Sequence, residues 1–285
     1  MATDDIRERL RRELGSGASG EGSRALPSGA EVRRSLEDLA AQRQAQKDAP
    51  LYVFIAYDVT GSMEPYIEVV KNNIREVGRE LYNKETGINV AIWGVGDHSD
   101  GQLWLQRNDF TSNNQTLDGQ IRRITLTHGG DAPEAYECGF SELAKAASKV
   151  KAEHPNSKVV AIFIGDSVPH GMEGFREGYR NIRDDGCPRQ VDYRQSLAHL
   201  KAATDIFYFV GCNKDQIMTG LQQKLINPQR PAEKFIPLGN MVGDLPQLLI
   251  AAIKQTRDPA SMMNYLKQLG GPQANRIAGY LAPPK

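Results

Sequence analysis

The chain contains 285 residues, with 35 Lys and Arg against 35 Asp and Glu, so its formal net charge at pH 7 is zero. This balance argues against a nucleic-acid or membrane-surface partner, because both are held by a surplus of basic residues. No apolar run approaches the roughly 18 residues of a membrane span, and the charged N-terminus lacks the apolar core of a signal peptide. The three cysteines are odd in number and widely spaced, which suits a reducing compartment better than a set of disulfides. Together these features predict a cytoplasmic protein.

Residues 1–50 are predicted to form a flexible or helical N-terminal extension. The segment has no aromatic residue, and its Gly- and Ser-rich stretch 15–23 is typical of a linker. The S-x-x-E spacing at 28–31 matches a helix capping box, and apolar residues then recur at helical intervals over 32–39. The pattern leaves open whether this helix packs on the domain or binds a partner.

Residues 51–257 are predicted to form one doubly wound α/β domain with a mostly parallel sheet, because short apolar runs alternate with helical patterns. The apolar runs lack polar alternation, which is typical of strands buried on both faces. A run at 102–106 closely follows the second strand and predicts an antiparallel edge strand. The expected strands are 51–58, 88–97, 158–166, 205–212 and 233–238, and the expected helices are 64–82, 115–126, 133–153, 192–203, 214–226 and 244–256. Residues 258–285 are expected to be a C-terminal tail with one short amphipathic piece.

Oxygen-bearing side chains follow the ends of the predicted strands, where ligands bind in an open parallel sheet. Alternate residues of the loop after the first strand carry such oxygens, so their side chains point to one side of an extended backbone. Carboxylate and hydroxyl oxygens favour Mg²⁺ or Mn²⁺ over softer metals. The expected ligands at three strand ends are Asp58, Thr60, Ser62, Asp131 and Asp166.

These motifs give the predicted α/β domain a resemblance to the von Willebrand factor A domain, a doubly wound fold with a metal-ion-dependent adhesion site. The sequence D-V-T-G-S at 58–62 is similar to the family's D-x-S-x-S motif, and Asp166 matches its later Asp. The stretch G-G-D-A-P-E at 129–134 resembles a variant found in many intracellular members. The resemblance places Asp131 at the position of the family's Thr, with Thr127 as the alternative second-loop ligand.

The resemblance implies a binding module and not an enzyme. In the family, the metal keeps an open coordination position that a carboxylate of a partner protein fills. We therefore expect Mg²⁺ or Mn²⁺ here, and a protein partner that offers an Asp or Glu. A third acid, Asp131, would weaken the attraction of the ion for that carboxylate. Intracellular members often work beside ATPases, kinases or stress and defence complexes, which implies a scaffold or adaptor role.

Two alternatives stay open. A metal-assisted hydrolase would use the same acids, but a haloacid-dehalogenase-type phosphatase needs D-x-D, and Thr60 stands at the second carboxylate position. The chain also lacks P-loop and nucleophile-elbow motifs. A second metal site would draw on His98, His170 or Cys187, and the long loop 171–191 is a candidate for partner specificity.

Overall fold

The structure, a computed structural model, describes residues 32–38, 41, 44, 49–84, 86–239 and 241–282. It divides into two compact units, Met1–Gln44 and Ala45–Lys285. In the first unit, residues 32–38 are helical and their side chains are exposed. The linker predicted at 15–23 and the capping box predicted at 28–31 lie outside the described residues.

The second unit is built on a six-stranded sheet. Its strands are β1 (Leu51–Asp58), β2 (Ile88–Val95), β3 (Leu105–Gln106), β4 (Lys158–Gly165), β5 (Ile206–Gly211) and β6 (Glu233–Pro237). The strand order is β3-β2-β1-β4-β5-β6, and β3 is antiparallel to β2 whereas the other neighbours are parallel. This topology confirms the predicted doubly wound sheet with one antiparallel edge strand. Its switch point lies between β1 and β4, where such sheets bind ligands.

Helices cover both faces of this sheet. They are α1 (Glu64–Lys84), α2 (Asn114–Arg123), α3 (Tyr136–Glu153), α4 (Phe175–Gly178), α5 (Tyr193–Ala203), α6 (Gln216–Gln223), α7 (Leu245–Arg257), α8 (Pro259–Leu269) and α9 (Gly271–Leu281). Side chains of Asn113, Asp192 and Asp215 cap α2, α5 and α6 by accepting hydrogen bonds from backbone amides. No helix in the described part of the chain combines the length and the apolar character that crossing a membrane requires.

Strand β1 is buried on both faces because its side chains alternate between two apolar layers. Val53, Ile55 and Tyr57 join a core with residues of α1, α7 and α9. Phe54 and Ala56 point the other way and join a core with residues of α3 and α5. The one charged residue of this strand, Asp58, lies at its carboxyl end.

The segment before β3 differs from the predicted hairpin. Residues His98–Trp104 form two short 3₁₀ turns with a kink at Gly101, and only Leu105–Gln106 pair with β2 as a strand. A reciprocal capping box between Asp97 and Asp100 starts the first of these turns. These local side-chain bonds compete with strand pairing, and they hold the segment at the carboxyl edge of the sheet.

The chain after residue 258, expected to be a tail, forms α8 and α9 and belongs to the core. Pro259 and Pro272 occupy the first turns of these helices, where the missing amide proton costs no intrahelical bond. Ile277 and Leu281 lie four positions apart on α9 and are buried in the core that contains α1 and α7. Pro259, Gly270, Gly271 and Pro272 lie at the boundaries of these helices, and apolar residues between them pack on the core.

We expect Ile277→Ala to lower the free energy of unfolding by about 2–5 kcal/mol, because it leaves a cavity in place of a fully buried side chain. Met263→Ala is the matched control, because Met263 lies on neighbouring α8 and is 46% exposed. Urea denaturation followed by circular dichroism measures both variants. Changes below about 0.5 kcal/mol in both would contradict the packing of α9 on the core.

Candidate functional site

Four of the predicted ligands meet at the switch point, where β1 and β4 end side by side. Asp58 ends β1 and is fully buried, and Asp166 follows β4 and is 7% exposed. Thr60 Oγ1 donates a hydrogen bond to Asp58 Oδ1 over 2.7 Å, and Ser62 Oγ donates one to Asp166 Oδ1 over 3.0 Å. Thr60 Oγ1 and Ser62 Oγ are 3.3 Å apart, so the four side chains form one continuous polar chain.

The loop after β1 is shaped by Asp58 itself. Its Oδ1 also accepts a hydrogen bond from the backbone amide of Thr60 over 2.8 Å, which turns the chain out of the strand. Thr60 keeps an extended backbone, and Gly61–Met63 then form a single 3₁₀ turn that leads into α1. This local geometry directs the Thr60 and Ser62 hydroxyls towards the end of β4.

Tyr136, which the sequence analysis did not identify, is a second buried partner of Asp58. Its hydroxyl donates a hydrogen bond to Asp58 Oδ2 and accepts one from the backbone amide of Ser167 over 3.3 Å. Gly165 makes room for this contact, because a Cβ at that position would overlap the Tyr136 hydroxyl. Both oxygens of Asp58 are therefore held by hydrogen-bond donors.

Glu134, the last residue of the G-G-D-A-P-E stretch, lies against the same group. It is 4% exposed, and its backbone amide donates a hydrogen bond to Val168 O over 2.9 Å. A Cβ on Gly129 would lie 3.5 Å from both Glu134 Oε1 and Thr60 Cβ, so the carboxyl group reaches the first loop. Although buried, Glu134 Oε2 has no hydrogen-bond partner among the described residues.

The structure places Thr127 and Asp131, the two candidates for the second loop, in other contacts. Thr127 Oγ1 donates a hydrogen bond to Val59 O over 3.2 Å and so fastens the first loop. Asp131 Oδ1 lies 3.2 Å from His170 Nε2, and its Oδ2 accepts a hydrogen bond from Asp185 N over 2.7 Å. In this segment Glu134, and not Asp131, is the acid nearest to the first loop. The spacing of the sequence does not distinguish between these two acids.

Burial raises the pKa values of the acids at the switch point. It raises the pKa of Asp58 from 3.8 to about 7, and repulsion from Asp166 adds to this shift. Burial also raises the pKa of Glu134 to about 11, with further contributions from Asp58 and Asp97. The pKa of Asp166 is raised for the same main reason. Because a bound cation would offset this cost of charge, these residues fit a divalent ion.

An open cavity of about 580 Å³ connects the acids with solvent. Ser62, Glu134 and Asp166 line one part of it, and residues 181–183 of the long loop 171–191 line another. Ser62 is exposed, whereas Asp58 lies fully buried behind it. The site can thus be reached by an ion and by a side chain of a second molecule.

A second group of polar side chains lies beside the first, around the fully buried Glu137. His98 Nε2 is 2.8 Å from Glu137 Oε1, and His170 Nδ1 is 3.3 Å from Glu137 Oε2. Burial by itself would raise the pKa of Glu137, but hydrogen bonds with His170 and His98 lower it to about 2. Burial likewise opposes protonation of His170, but Glu137 and Asp131 raise its pKa to about 9. The three candidates for a second metal site, His98, His170 and Cys187, all lie here, together with Glu137 and Cys138, which the sequence did not single out.

Comparison with known proteins gives a partial similarity in sequence and a likeness in fold. No family model matches the chain. The alpha-protein kinase vwkA of Dictyostelium discoideum is 27% identical over 158 residues, which cover 53% of this chain and 24% of the kinase. The match thus spans about a quarter of the length of that curated relative. The crystal structure of the pilus adhesin SpaC from Lactobacillus rhamnosus GG, in its open conformation, superposes with a TM-score of 0.52. The aligned residues are 14% identical and cover 73% of this chain and 30% of the adhesin. At this identity the similarity shows a shared fold and nothing more.

With divalent ions chelated, Asp58 should destabilise the chain increasingly as the pH rises from about 4 to about 7. In the folded chain Asp58 keeps its proton up to about pH 7, whereas in the unfolded chain it releases the proton near pH 3.8. The free energy of unfolding therefore falls as the pH rises between these two values. Asp58→Asn does not titrate, so its free energy of unfolding should fall less across this range. Urea denaturation in EDTA at several pH values measures the difference.

The matched control for this pH dependence is Asp109→Asn, which removes an exposed carboxylate elsewhere on the domain. It should follow the wild-type pH profile. A wild-type profile that coincides with that of Asp58→Asn would contradict the raised pKa of Asp58.

Proposed function

We propose that this chain is a metal-dependent protein-binding module of the von Willebrand A type. The observation that carries the proposal is the hydrogen-bonded chain of Asp58, Thr60, Ser62 and Asp166 at the carboxyl edge of the sheet. Buried carboxylates are costly unless they are paired or coordinate a cation. Their carboxylate and hydroxyl oxygens are ligands that Mg²⁺ and Mn²⁺ prefer.

The charges of the site suit a divalent ion that also attracts an acid. Asp58 and Asp166 supply two negative charges, which match the charge of Mg²⁺ or Mn²⁺. Burial and repulsion from Asp58 raise the pKa of Glu134 to about 11, which disfavours a third negative charge at this position. Asp131 is turned towards His170 and Asp185, which removes the excess charge expected from a third acid.

The chain's own residues prepare this position. Tyr136 and the Thr60 amide hold the two oxygens of Asp58 in place, and Ser62 presents its hydroxyl to the open cavity. When bound, the ion would supply a coordination position for a carboxylate oxygen of a partner protein. Arg183 borders the same cavity with its side chain 79% exposed, and it already pairs with Asp185, so an acidic partner segment would have to compete with that ion pair.

The setting that we propose is that of a cytoplasmic scaffold or adaptor beside an ATPase, a kinase or a stress or defence complex. The three cysteines are free thiols, as is usual in a reducing compartment. The similarity to a segment of a protein named as an alpha-protein kinase favours a kinase among these partners.

Catalysis is the second candidate, because that partial similarity is to an enzyme. A phosphatase-like reaction at this edge would use Asp58 as nucleophile and a second acid for proton transfer. Both Asp58 oxygens already accept hydrogen bonds, and Thr60 does not transfer protons usefully at neutral pH. These contacts favour binding without catalysis.

Titration calorimetry with Mn²⁺ and Mg²⁺ tests the ion. The wild type should bind at one site near the first loop, and Asp166→Asn should weaken that affinity at least about tenfold by removing a charged ligand. Asp131→Asn is the matched control, since it removes a carboxylate of the second loop that points to His170. It should bind within about threefold of the wild type. Loss of binding in Asp131→Asn with retention in Asp166→Asn would contradict the assignment.

A pull-down with the immobilised full chain tests the role of the ion in partner binding. A partner protein should be retained in Mg²⁺ and released by EDTA, and Ser62→Ala should retain much less of it. The control is Ser112→Ala, an exposed serine outside the site, which should behave as the wild type. Amide substitution of one Asp or Glu in the retained partner should abolish capture.

Two results would speak against the binding proposal. One is retention that depends on neither Mg²⁺ nor Ser62. The other is turnover of a phosphate ester by the purified chain that disappears in Asp58→Asn.

A further inference from the structure

A second set of metal-ligating side chains converges from three separate segments of the chain. His98 comes from the first 3₁₀ turn after β2, Glu137 and Cys138 from the first turn of α3, and Cys187 from the loop 171–191. Each residue offers one ligand atom, and these four atoms all lie within 4.8 Å of one another. We refer to His98, Glu137, Cys138 and Cys187 as the thiol cluster.

The distances within the thiol cluster are close to those of a tetrahedral zinc site. Bonds of about 2.3 Å to sulfur and about 2.0–2.2 Å to nitrogen or oxygen place neighbouring ligand atoms roughly 3.3–3.8 Å apart. Cys138 Sγ and Cys187 Sγ are 3.6 Å apart, and Cys187 Sγ is 3.5 Å from His98 Nε2. His98 Nε2 and Glu137 Oε1 are 2.8 Å apart, so this pair would open by about half an ångström.

The surroundings orient the cluster as the outer contacts of a metal site do. The second oxygen of Glu137 accepts a hydrogen bond from the backbone amide of His170 over 3.1 Å, which leaves Oε1 directed at His98. Such contacts fix ligand orientation in metal sites. Cys138 is 3% exposed and packs with Trp104, and the Arg189 guanidinium lies over the Trp104 ring at 4.1 Å from its centroid. The cluster is thus largely shielded from water.

We propose that His98, Glu137, Cys138 and Cys187 bind one Zn²⁺ that fastens the loop 171–191 to the carboxyl edge of the sheet. Two sulfur ligands and an imidazole favour zinc over Mg²⁺, and four protein ligands are typical of a structural site with no open position. On binding, both thiols release their protons to solvent, and the neutral imidazole and the Glu137 carboxylate complete the set.

The consequence of this site is a fixed wall for the neighbouring cavity. The loop contains only the short helix α4 within its described residues, and residues 181–183 line the cavity that leads to Asp58 and Asp166. Cys187 lies four residues beyond that wall, so its attachment to α3 and His98 holds the loop near the first metal position. The zinc ligands include none of the Mg²⁺ ligands, so this proposal stands or falls independently of the proposed function.

Metal analysis of the untagged full chain, reconstituted with equimolar Zn²⁺ under reducing conditions and then desalted, tests the site. The wild type should retain about one zinc per chain, and Cys187→Ser should retain less than about a tenth of that. Cys187 is half-buried in a loop and lies outside the two large cores that flank the sheet, so we expect Cys187→Ser to fold. Cys212→Ala and His199→Ala are controls that remove a thiol and an imidazole outside the cluster, and both should retain zinc. Replacement by Co²⁺ should give thiolate-to-cobalt charge-transfer absorption that Cys187→Ser lacks.

A wild type that retains no zinc, or a Cys187→Ser variant that retains as much as the wild type, would overturn the proposal. A disulfide between Cys138 and Cys187 that persists under reducing conditions and excludes zinc would overturn it as well.

Trypsin digestion tests the fastening of the loop. The exposed residues Arg176, Arg180 and Arg183 are cleavage sites within it. A zinc-selective chelator in excess Mg²⁺ should speed cleavage at these positions about tenfold or more, because the loop opens more often. Unchanged cleavage on zinc removal would overturn the fastening role.

Discussion

The carboxyl ends of β1 and β4 lie side by side at the switch point of the sheet, and each end carries a buried carboxylate, Asp58 or Asp166. This constraint organises the surrounding structure. The Thr60 hydroxyl and amide, the Ser62 hydroxyl and the Tyr136 hydroxyl all direct hydrogen bonds at Asp58 or Asp166. Gly165 has no side chain at the place where Tyr136 approaches. The hydrogen bonds orient both acids. Among the described residues, no basic side chain contacts either acid to balance their negative charge.

The acids at this edge separate into two groups that differ in their counter-charges. Burial raises the pKa of Asp58, whereas Glu137, equally buried, has its pKa lowered because His170 and His98 contact it. The group around Glu137 therefore includes a positive partner, His170, and the two sulfur atoms of Cys138 and Cys187. The group around Asp58 has hydroxyls in their place, and this difference is the reason that we propose a hard divalent cation at one position and zinc at the other.

The strands could be predicted from the sequence because apolar runs without alternation have few other uses in a soluble chain. The segment 51–58 was predicted with the bounds that the structure has, and the ends of the other strands shift by a few residues. The positions of the first loop and of Asp166 could also be predicted. Each follows the end of a predicted parallel strand, so each must lie at the carboxyl edge of the sheet. Such predictions state only at which end of a strand a residue lies, and the fold alone determines that position.

Other features depend on three-dimensional contacts that spacing does not encode. The stretch 129–134 contains two acids, and only the backbone path beside β4 turns Glu134 and not Asp131 towards Thr60. Tyr136 stands in the stretch E-A-Y-E at the start of a predicted helix, and nothing in that stretch marks its hydroxyl as part of the site. Cys138 and Cys187 are brought together across the long loop, and the tail after residue 258 packs because its few apolar residues fall on one face.

The central claim is that a divalent ion lies at the switch point, and anomalous diffraction from crystals grown in Mn²⁺ tests it most directly. The account predicts an anomalous peak within coordination distance of Ser62 Oγ and a carboxylate oxygen of Asp166, close to Thr60 and Asp58. The peak should be absent in crystals of Asp166→Asn. A fully occupied Mn²⁺ elsewhere on the chain, with no peak between these residues, would contradict the account.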